Sequence, residues 1–239
     1  MRPETGAGER QLTQFEDQVP FVVRLDGDDR QALFRSGSPL AFPARQVLLR
    51  EHEPSTHVLV ILSGWAKVTS AAPNGYEALL ALRGPGDIVG EQALLSGRPR
   101  GATVTALERV EALAVDADRF GTLIDERPDI ARKLLALTAD RTRDSDRRRV
   151  QFASLTVQER LALLLLELIR THGEESDDGV QLTAGLTQSE LAGSVGASRE
   201  AVARLLKQLR ERGIVRTGRR GLVVVRPDVL RKMARSGNG

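Results

Sequence analysis

A chain of 239 residues with 41% hydrophobic content is long enough for two domains and apolar enough to bury a core, which favours a globular protein over a disordered one. It contains no cysteine, which excludes disulfide frameworks, thiolate metal sites and cysteine nucleophiles. Its net charge of +3 is unevenly divided, because residues 196–239 hold 12 Lys and Arg against 3 Asp and Glu, and subtracting that +9 leaves −6 for the preceding residues.

The uneven charge and the absence of long apolar runs restrict the expected partners. An acidic N-terminal part followed by a basic C-terminal block is typical of a protein that binds phosphate groups at one end. A solvated charged surface is the alternative interpretation. The longest apolar run, residues 161–166, is too short to span a bilayer, and the first twenty residues contain no apolar stretch of signal-peptide length. We therefore expect a cytoplasmic protein with no membrane partner.

Short strands are predicted in the first half of the chain. Residues 1–19 show no periodicity and are expected to form a flexible leader. From Val47 to Val115, alternating or apolar runs separated by turn signals predict an antiparallel β domain, with Asn74-Gly75 as a tight hairpin turn in which both residues take positive φ. Gly84-Pro85-Gly86-Asp87 is a second turn signal. The predicted strands are 57–62, 65–68, 77–82, 102–105 and 110–115.

Helices are predicted after residue 115. A short helix over 118–126 is followed by a long one that Pro128 opens at its first position and that continues to Ser154. The long helix has an apolar stripe in its N-terminal half, which we interpret as a dimer seam. The stripe comprises Ile130, Leu134 and Leu137, and its polar continuation comprises Arg141, Asp144 and Arg148. The seam is therefore expected to be weak in its middle.

Two capping-box patterns mark helix starts in the C-terminal part of the chain. Thr156-Val-Gln-Glu159 precedes an apolar run and predicts a helix that begins a new domain, followed by an exposed acidic loop over 171–178. Thr187-Gln-Ser-Glu190 repeats the pattern, Gly196 supplies a turn, and Ser198 caps a further helix. Two short helices joined through a glycine predict a helix-turn-helix from Thr187 to about Arg212.

The second helix of this motif has an apolar face and a polar face. The apolar face comprises Val202, Leu205, Leu206 and Leu209, and the polar face comprises Arg199, Glu200, Ala203, Arg204 and Lys207. Because Arg donates two hydrogen bonds to guanine and Glu accepts from the cytosine amino group, Arg199, Glu200 and Arg204 are candidates for reading a G·C-containing half-site. An ordinary amphipathic helix with solvated charges is the alternative. A predicted hairpin over 214–225, with Arg219 and Arg220 at its tip, is typical of a winged helix and favours the nucleic-acid interpretation.

A second candidate site lies in the β domain, where Glu91 and Arg100 flank a short helical turn. An arginine fork binds a phosphate bidentately, a glutamate accepts from a ribose hydroxyl, and the N–H groups of the short helix attract an anion. A surface ion pair is the alternative interpretation.

The spacing of His52 and His57, with Pro54 between them, does not suit a zinc protease, and no histidine lies in a recognisable catalytic motif. We therefore predict no enzymatic activity, no catalytic residue and no metal site.

Two segments of the chain resemble the Crp/Fnr family of transcriptional regulators. Gly90-Glu91 with Arg100-Gly101-Ala102 is similar to the family's phosphate-binding cassette, and Ser198-Arg199-Glu200 with Arg204 is similar to its recognition helix. The resemblance covers about Phe21 to Met233. It implies an α+β fold with a leader (1–19), an N-terminal cyclic-nucleotide-binding β-roll or jelly roll (20–127), a long dimerisation helix (128–154) and a C-terminal winged helix-turn-helix (155–239).

The resemblance also implies a homodimer whose binding to palindromic double-stranded DNA, with TGTGA-like half-sites, is switched on by a cyclic nucleotide. Cyclic AMP (cAMP) is the leading candidate for that nucleotide, and RNA polymerase is a further expected partner. Glu91 would meet the ribose 2′-hydroxyl, Arg100 the cyclic phosphate and Ser145 the adenine edge. The implied nucleotide-binding residues are Gly90, Glu91, Gln92, Arg100, Gly101, Ala102, Ser145 and Asp146. The expected DNA-binding residues are Ser189, Ser198, Arg199, Glu200, Arg204, Lys207, Arg219 and Arg220.

Two residues depart from the pattern of the family's cAMP-binding members. Gly101 replaces a Ser or Thr and so removes one hydroxyl donor to the phosphate, a loss of ~1 kcal/mol that weakens binding. Asp146 replaces a second small hydroxyl residue contributed across the dimer, and it either accepts from the adenine amino group or disfavours an anionic nucleotide. Two other functions stay open: the same fold regulated by another effector or by none, and a ligand-binding module whose winged helix mediates protein contacts.

Overall fold

A computed structural model describes residues 19–182, 185–218 and 221–235. The predicted leader, residues 1–19, lies outside this description except for its last residue. The described chain forms an antiparallel β domain, a long helix and a C-terminal domain that combines helices with a small sheet, which confirms the predicted α+β architecture. In the described ranges, no helix is long and apolar enough to cross a membrane.

Eight strands build the N-terminal domain. They are β1 Ser38–Phe42, β2 Val47–Leu49, β3 His57–Ser63, β4 Ala66–Ala71, β5 Glu77–Arg83, β6 Ile88–Val89, β7 Thr103–Ala106 and β8 Val110–Asp116. One antiparallel sheet has the order β1-β8-β3-β6 and the other has the order β2-β7-β4-β5. The five individually predicted strands are confirmed as β3, β4, β5, β7 and β8.

Strand β3 lies at the centre of this domain and is buried on both faces. Val58 and Val60 pack among the helices, whereas Leu59 and Ile61 pack towards the second sheet. Successive side chains of a strand point to opposite faces, so a strand between two apolar layers needs an uninterrupted apolar run. The run Val-Leu-Val-Ile in β3 therefore follows from its position.

The turn between β4 and β5 differs from the prediction. Only Gly75 takes a positive φ, at +80°, and Asn74 does not. The connection is a five-residue loop in which the Ala72 N–H donates to the Tyr76 carbonyl over 2.8 Å and the Asn74 side chain accepts from the Tyr76 N–H over 3.1 Å. The prediction of a tight two-residue turn is wrong. Asn74 does not take the left-handed backbone conformation, because its side-chain carboxamide hydrogen-bonds within a longer loop.

Helices cover one side of the β domain. They are α1 Phe21–Arg24, α2 Gly27–Arg35, α3 Glu91–Ser96, α4 Ala117–Glu126 and the long α5 Pro128–Ser154, whose two ends are as predicted. The predicted dimer seam is wrong, because Ile130, Leu134 and Leu137 are only 0%, 1% and 4% exposed and pack in this chain's own core with Val58 and Phe120. An apolar stripe indicates that a helix packs, but its spacing is the same whether the neighbour is the same chain or another.

Within its described residues, the C-terminal domain joins four helices to a four-stranded sheet of order β11-β12-β10-β9. Its elements are α6 Val157–His172, β9 Gly173–Ser176, β10 Gly179–Leu182, α7 Gln188–Val195, α8 Arg199–Glu211, β11 Val215–Gly218, β12 Gly221–Val224 and α9 Pro227–Arg235. The acidic loop predicted over 171–178 is wrong, because β9 and β10 pair as a hairpin and only its turn at Asp177 and Asp178 is irregular. The hairpin of β11 and β12 confirms the predicted wing, whose tip residues Arg219 and Arg220 lie outside the described residues.

Replacing Leu134 with alanine tests the position of the long helix. We expect Leu134→Ala to lower the free energy of unfolding by about 2–5 kcal/mol, because it opens a cavity in a packed core. Leu95→Ala, at a side chain that is 51% exposed, is the matched control and should change it by less than about 0.5–1 kcal/mol. Urea denaturation followed by circular dichroism measures both. Equal losses for the two variants would contradict the burial of this stripe.

Candidate functional site

Both helices of the helix-turn-helix begin at a capped residue. The Thr187 N–H donates to the Glu190 carboxylate over 2.6 Å, and the Glu190 N–H donates back to the Thr187 hydroxyl over 3.2 Å. The Ser198 hydroxyl accepts from the Ala201 N–H over 3.1 Å. Between the helices, Gly196 has a φ of +61°, the left-handed conformation that ends a helix and favours glycine. The predicted caps and turn are therefore confirmed.

Helix α8 buries one face and exposes the other. Val202, Leu206 and Leu209 are buried in the domain core together with Leu161 and Leu165 of α6. The exposed side chains of the motif include all the predicted DNA-binding residues that the structure describes: Ser189, Ser198, Arg199, Glu200, Arg204 and Lys207. The buried face fixes the helix on the domain, so the charged side chains project together from its surface.

Glu200 lies in the first turn of α8. Hydrogen bonds from its own backbone N–H and from the Ser198 hydroxyl lower the pKa of the Glu200 carboxyl. The carboxylate is therefore ionised at neutral pH and acts only as an acceptor. Arg199 and Arg204 are donors on the same exposed face, so the helix presents both hydrogen-bond donors and an acceptor to a partner.

Glu91 and Arg100 are buried in the β domain, at 1% and 4% exposure, so the surface ion pair considered above is wrong. Arg100 donates through Nη1 to the Gly90 carbonyl over 2.7 Å and through Nη2 to the His57 carbonyl over 2.5 Å. Gly90 has a φ of +87°, and a Cβ there would lie 2.3 Å from Arg100 Nη1. A glycine is therefore required for the arginine to reach this position.

Arg141 of the long helix binds Glu91. Its Nη1 lies 2.5 Å from Glu91 Oε1, and its Nη2 donates to the Ile88 carbonyl over 2.9 Å. The second carboxylate oxygen, Glu91 Oε2, is buried and accepts no hydrogen bond from any described residue. Leaving a buried acceptor unsatisfied costs about 1–3 kcal/mol, more for a charged group, so this oxygen is suited to a donor from a ligand.

A cavity of about 420 Å³ lies beside this pair, between the β domain, α5 and α7. The predicted nucleotide-binding residues that line it are Gly90, Glu91, Gln92, Arg100, Gly101, Ala102 and Ser145. Asp146 is not part of the lining, because its side chain points to the surface and pairs with Arg149 over 3.2 Å. Gly193 and Ser194 of α7 complete one wall, which brings the helix-turn-helix to the edge of the cavity.

Four arginines of the lining were not assigned to the site from the sequence. They are Arg83 at the end of β5 and Arg141, Arg148 and Arg149 on α5. The sequence contained a signal for two of these arginines. Arg141 and Arg148 recur with Ser145 and Phe152 at intervals of three or four residues, so these side chains share one face of the long helix. Sequence alone does not show that this face meets a cavity.

Burial and neighbouring positive charges both lower the pKa values of cationic groups at this site. Burial, followed by the charge of Arg141, lowers the pKa of Arg83 to about 10. Burial also lowers the pKa of Arg100, and burial followed by the charge of Arg100 lowers the pKa of His57. Cations are therefore crowded in a poorly solvated region, which an anion would stabilise.

The helix-turn-helix packs against the β4–β5 hairpin. Lys67 Nζ of β4 lies 2.5 Å from the Glu190 carboxylate, and the Tyr76 hydroxyl donates to the Gly193 carbonyl over 3.3 Å. Gly193 approaches β5 so closely that a Cβ would lie 2.4 Å from the Glu77 carbonyl oxygen. The hairpin that lines the cavity therefore also contacts the first helix of the motif.

Both halves of the chain match known family models. Residues 39–127 match the cyclic nucleotide-binding domain, and residues 159–233 match the Crp-like helix-turn-helix domain. The chain is 32% identical over 204 residues to the CRP-like cAMP-activated global transcriptional regulator of Mycobacterium tuberculosis (strain ATCC 25618 / H37Rv), covering 85% of this chain and 91% of that protein. It is also 32% identical over 189 residues to the cyclic AMP receptor protein of Thermus thermophilus, covering 79% and 84%.

A solved structure gives the same result. A CRP/FNR-family transcriptional regulator from Thermus thermophilus superimposes with a TM-score of 0.67 at 26% identity, covering 82% of this chain and 98% of that one. The two matched domains lie in the order found in the structure, with the β strands that line the cavity in the first and the helix-turn-helix in the second. This chain therefore belongs to the Crp/Fnr family of DNA-binding transcriptional regulators, whose members are not enzymes.

Proposed function

We propose that this regulator is a cytoplasmic homodimer that binds a cyclic nucleotide, with cAMP as the leading candidate, and then reads a palindromic TGTGA-like site. The observation that carries the ligand assignment is Glu91 Oε2, a buried acceptor with no partner in the described chain, in a cavity that also contains the buried guanidinium of Arg100. A ribose hydroxyl would satisfy the first group and a cyclic phosphate the second. The cAMP-activated relatives support this ligand.

The proposed nucleotide contacts are compatible with the existing hydrogen bonds. A guanidinium has five N–H donors, so Arg100 retains donors for a phosphate while it holds the carbonyls of Gly90 and His57. Ser145 lines the cavity and would meet the adenine edge. Gly101 supplies no hydroxyl, which weakens phosphate binding by ~1 kcal/mol.

The dimer would use the face of α5 that the core leaves exposed. Leu135 and Val150 are 71% and 64% exposed, and at 3.6 residues per turn their directions differ by only about 60°. Asp146 is also exposed on this helix, so any contact with the adenine amino group would be made with the nucleotide of the partner protomer. A two-fold axis between the two long helices would present two copies of α8 to successive major grooves.

The proposed DNA contacts divide by their chemistry. Arg199, Glu200 and Arg204 would read base edges, because the Arg fork matches guanine and the Glu carboxylate accepts from cytosine. Ser198 and Lys207 of the exposed face would bind phosphates, together with Ser189, Arg219 and Arg220. RNA polymerase is the proposed partner of the dimer once it is bound at a promoter.

Replacing Arg204 tests the proposed base reading. We expect Arg204→Ala to lose ~1–3 kcal/mol per half-site on a TGTGA palindrome, with relaxed preference at one guanine position, because a bidentate contact is removed. Arg132→Ala, at an exposed arginine on α5, is the control and should leave DNA affinity unchanged. Fluorescence anisotropy with specific and scrambled duplexes at several salt concentrations measures both.

An equal weakening on specific and scrambled DNA would contradict base reading by Arg204. Wild-type binding without a steep negative salt dependence would contradict phosphate contact itself and favour protein contacts of the winged helix.

Replacing Arg100 tests the proposed phosphate contact. We expect Arg100→Ala to abolish the binding of cAMP in calorimetry, and Arg100→Lys to weaken it, because lysine retains the charge but not the fork. Arg98→Ala, at an exposed arginine two residues away, is the matched control and should bind normally. Retained affinity in a folded Arg100→Ala protein, checked by thermal melting, would contradict the assignment.

A further inference from the structure

A second cavity lies between the β domain and the C-terminal domain. Its volume is about 140 Å³, against about 420 Å³ for the cavity beside Glu91 and Arg100. The apolar part of its lining comes from the residue before α1, the start of β4, the β5–β6 turn and one face of α6. These residues are Pro20, Trp65, Pro85, Leu164 and Leu168. Both domains therefore contribute apolar surface to one small site.

The second cavity shares a wall with the first but not its polar pair. Ala81, Arg83 and Arg148 line both cavities and so lie between them. Glu91 and Arg100 line the first cavity only. A ligand in the second cavity would therefore not meet the residues proposed to bind a nucleotide, and its chemistry depends on a different set of side chains.

Trp65 provides an aromatic surface in this cavity. Its ring packs on the backbone of Gly84, where a Cβ would lie only 2.5 Å from Trp65 Cζ3, so a glycine is required beneath the indole. Leu164 and Leu168 are four residues apart on α6 and therefore lie on one face of that helix. An aromatic ligand is favoured in these surroundings, because a pair of aromatic rings attracts beyond the apolar area that it buries.

The charged groups of this lining already have partners. Asp87 accepts from the Gly84 N–H over 3.0 Å, and Arg148 donates to a backbone carbonyl of β5. Burial raises the pKa of Glu167, whereas the nearby charges of Arg148 and Arg170 oppose that rise. In the part of the chain that the structure describes, no buried polar side-chain atom of this lining lacks a hydrogen-bond partner. An ionic ligand would therefore lose its hydration without gaining an unpaired buried group in exchange.

We infer that this second cavity binds a neutral molecule with one aromatic ring, such as a phenol, between Trp65 and α6. An apolar cavity of about 150 Å³ takes one benzene ring, so a volume of about 140 Å³ admits a single ring and excludes a nucleoside. The ring would pack on Trp65 and Leu164, and a hydroxyl group would lie at the polar rim beside Glu167. Because such a ligand touches both domains, it would stabilise the contact between them. The inference is independent of the proposed nucleotide and DNA sites.

The test is a titration of the full chain with three probes that share one ring: phenol, benzoate and benzylammonium. The fluorescence of Trp65, the single tryptophan of the chain, reports binding, and calorimetry checks it. We expect phenol to bind about tenfold or more tightly than either charged probe, because a charge is costly to remove from water. Leu164→Phe fills the cavity with its own ring and should weaken phenol by about tenfold or more. Leu163→Phe, at the neighbouring residue outside the lining, is the matched control and should leave phenol binding unchanged.

Two further variants keep the test decisive. Leu164→Ala enlarges the cavity and should shift the preference from phenol towards 2-naphthol, and Arg100→Ala, in the first cavity only, should retain phenol binding. Unchanged phenol affinity in a folded Leu164→Phe protein, an unchanged preference in Leu164→Ala, or loss of phenol binding in a folded Arg100→Ala protein overturns the location. Tighter binding of benzoate or benzylammonium overturns the neutral class of ligand. No binding of phenol overturns the inference and leaves the nucleotide and DNA proposals standing.

Discussion

The buried ion pair between Glu91 and Arg141 connects the cavity to the rest of the molecule. Glu91 begins α3 in the β domain, whereas Arg141 lies midway along α5, and the two are 50 residues apart in sequence. Removing a charge from water costs several kcal/mol, so such a pair persists only with good geometry and additional hydrogen bonds. Arg141 has one in the Ile88 carbonyl, but Glu91 Oε2 has none among the described residues. A ligand that donates to this oxygen would therefore contact the same carboxylate that binds the long helix through Arg141.

The other end of the cavity is formed by the DNA-binding half of the protein. Glu190 caps α7 and at the same time binds Lys67 of β4, so one carboxylate stabilises both the helix start and the contact between domains. Gly193 lies against β5 at a distance that no larger residue allows. The β4–β5 hairpin thus lines the cavity and supports the helix-turn-helix. The cavity and the helix-turn-helix therefore share one structural support, the β4–β5 hairpin.

Much of the fold was predictable because local chemistry decides it. Alternating apolar residues predicted the strands, Pro128 predicted the start of the long helix, and Thr187, Gly196 and Ser198 predicted the helix-turn-helix. The errors concern what an element packs against. The stripe through Leu134 has the same spacing in a core and in a dimer seam, and the charged residues 173–176 formed strand β9 because β10 was available for pairing. Glu91 and Arg100 were recognised from their spacing, whereas Arg83 and Arg148 reach the cavity only through long-range packing.

We propose that the occupied cavity and the DNA-reading helix are energetically coupled. Such coupling is reciprocal, because a ligand that changes DNA affinity by some factor must have its own affinity changed by the same factor when DNA is bound. The most direct measurement is a pair of titrations: the affinity for a TGTGA palindrome with and without saturating nucleotide, and the affinity for the nucleotide with and without saturating DNA. We expect equal factors of about 5–150-fold in the two titrations. Identical DNA affinities with the cavity empty and saturated would contradict this account.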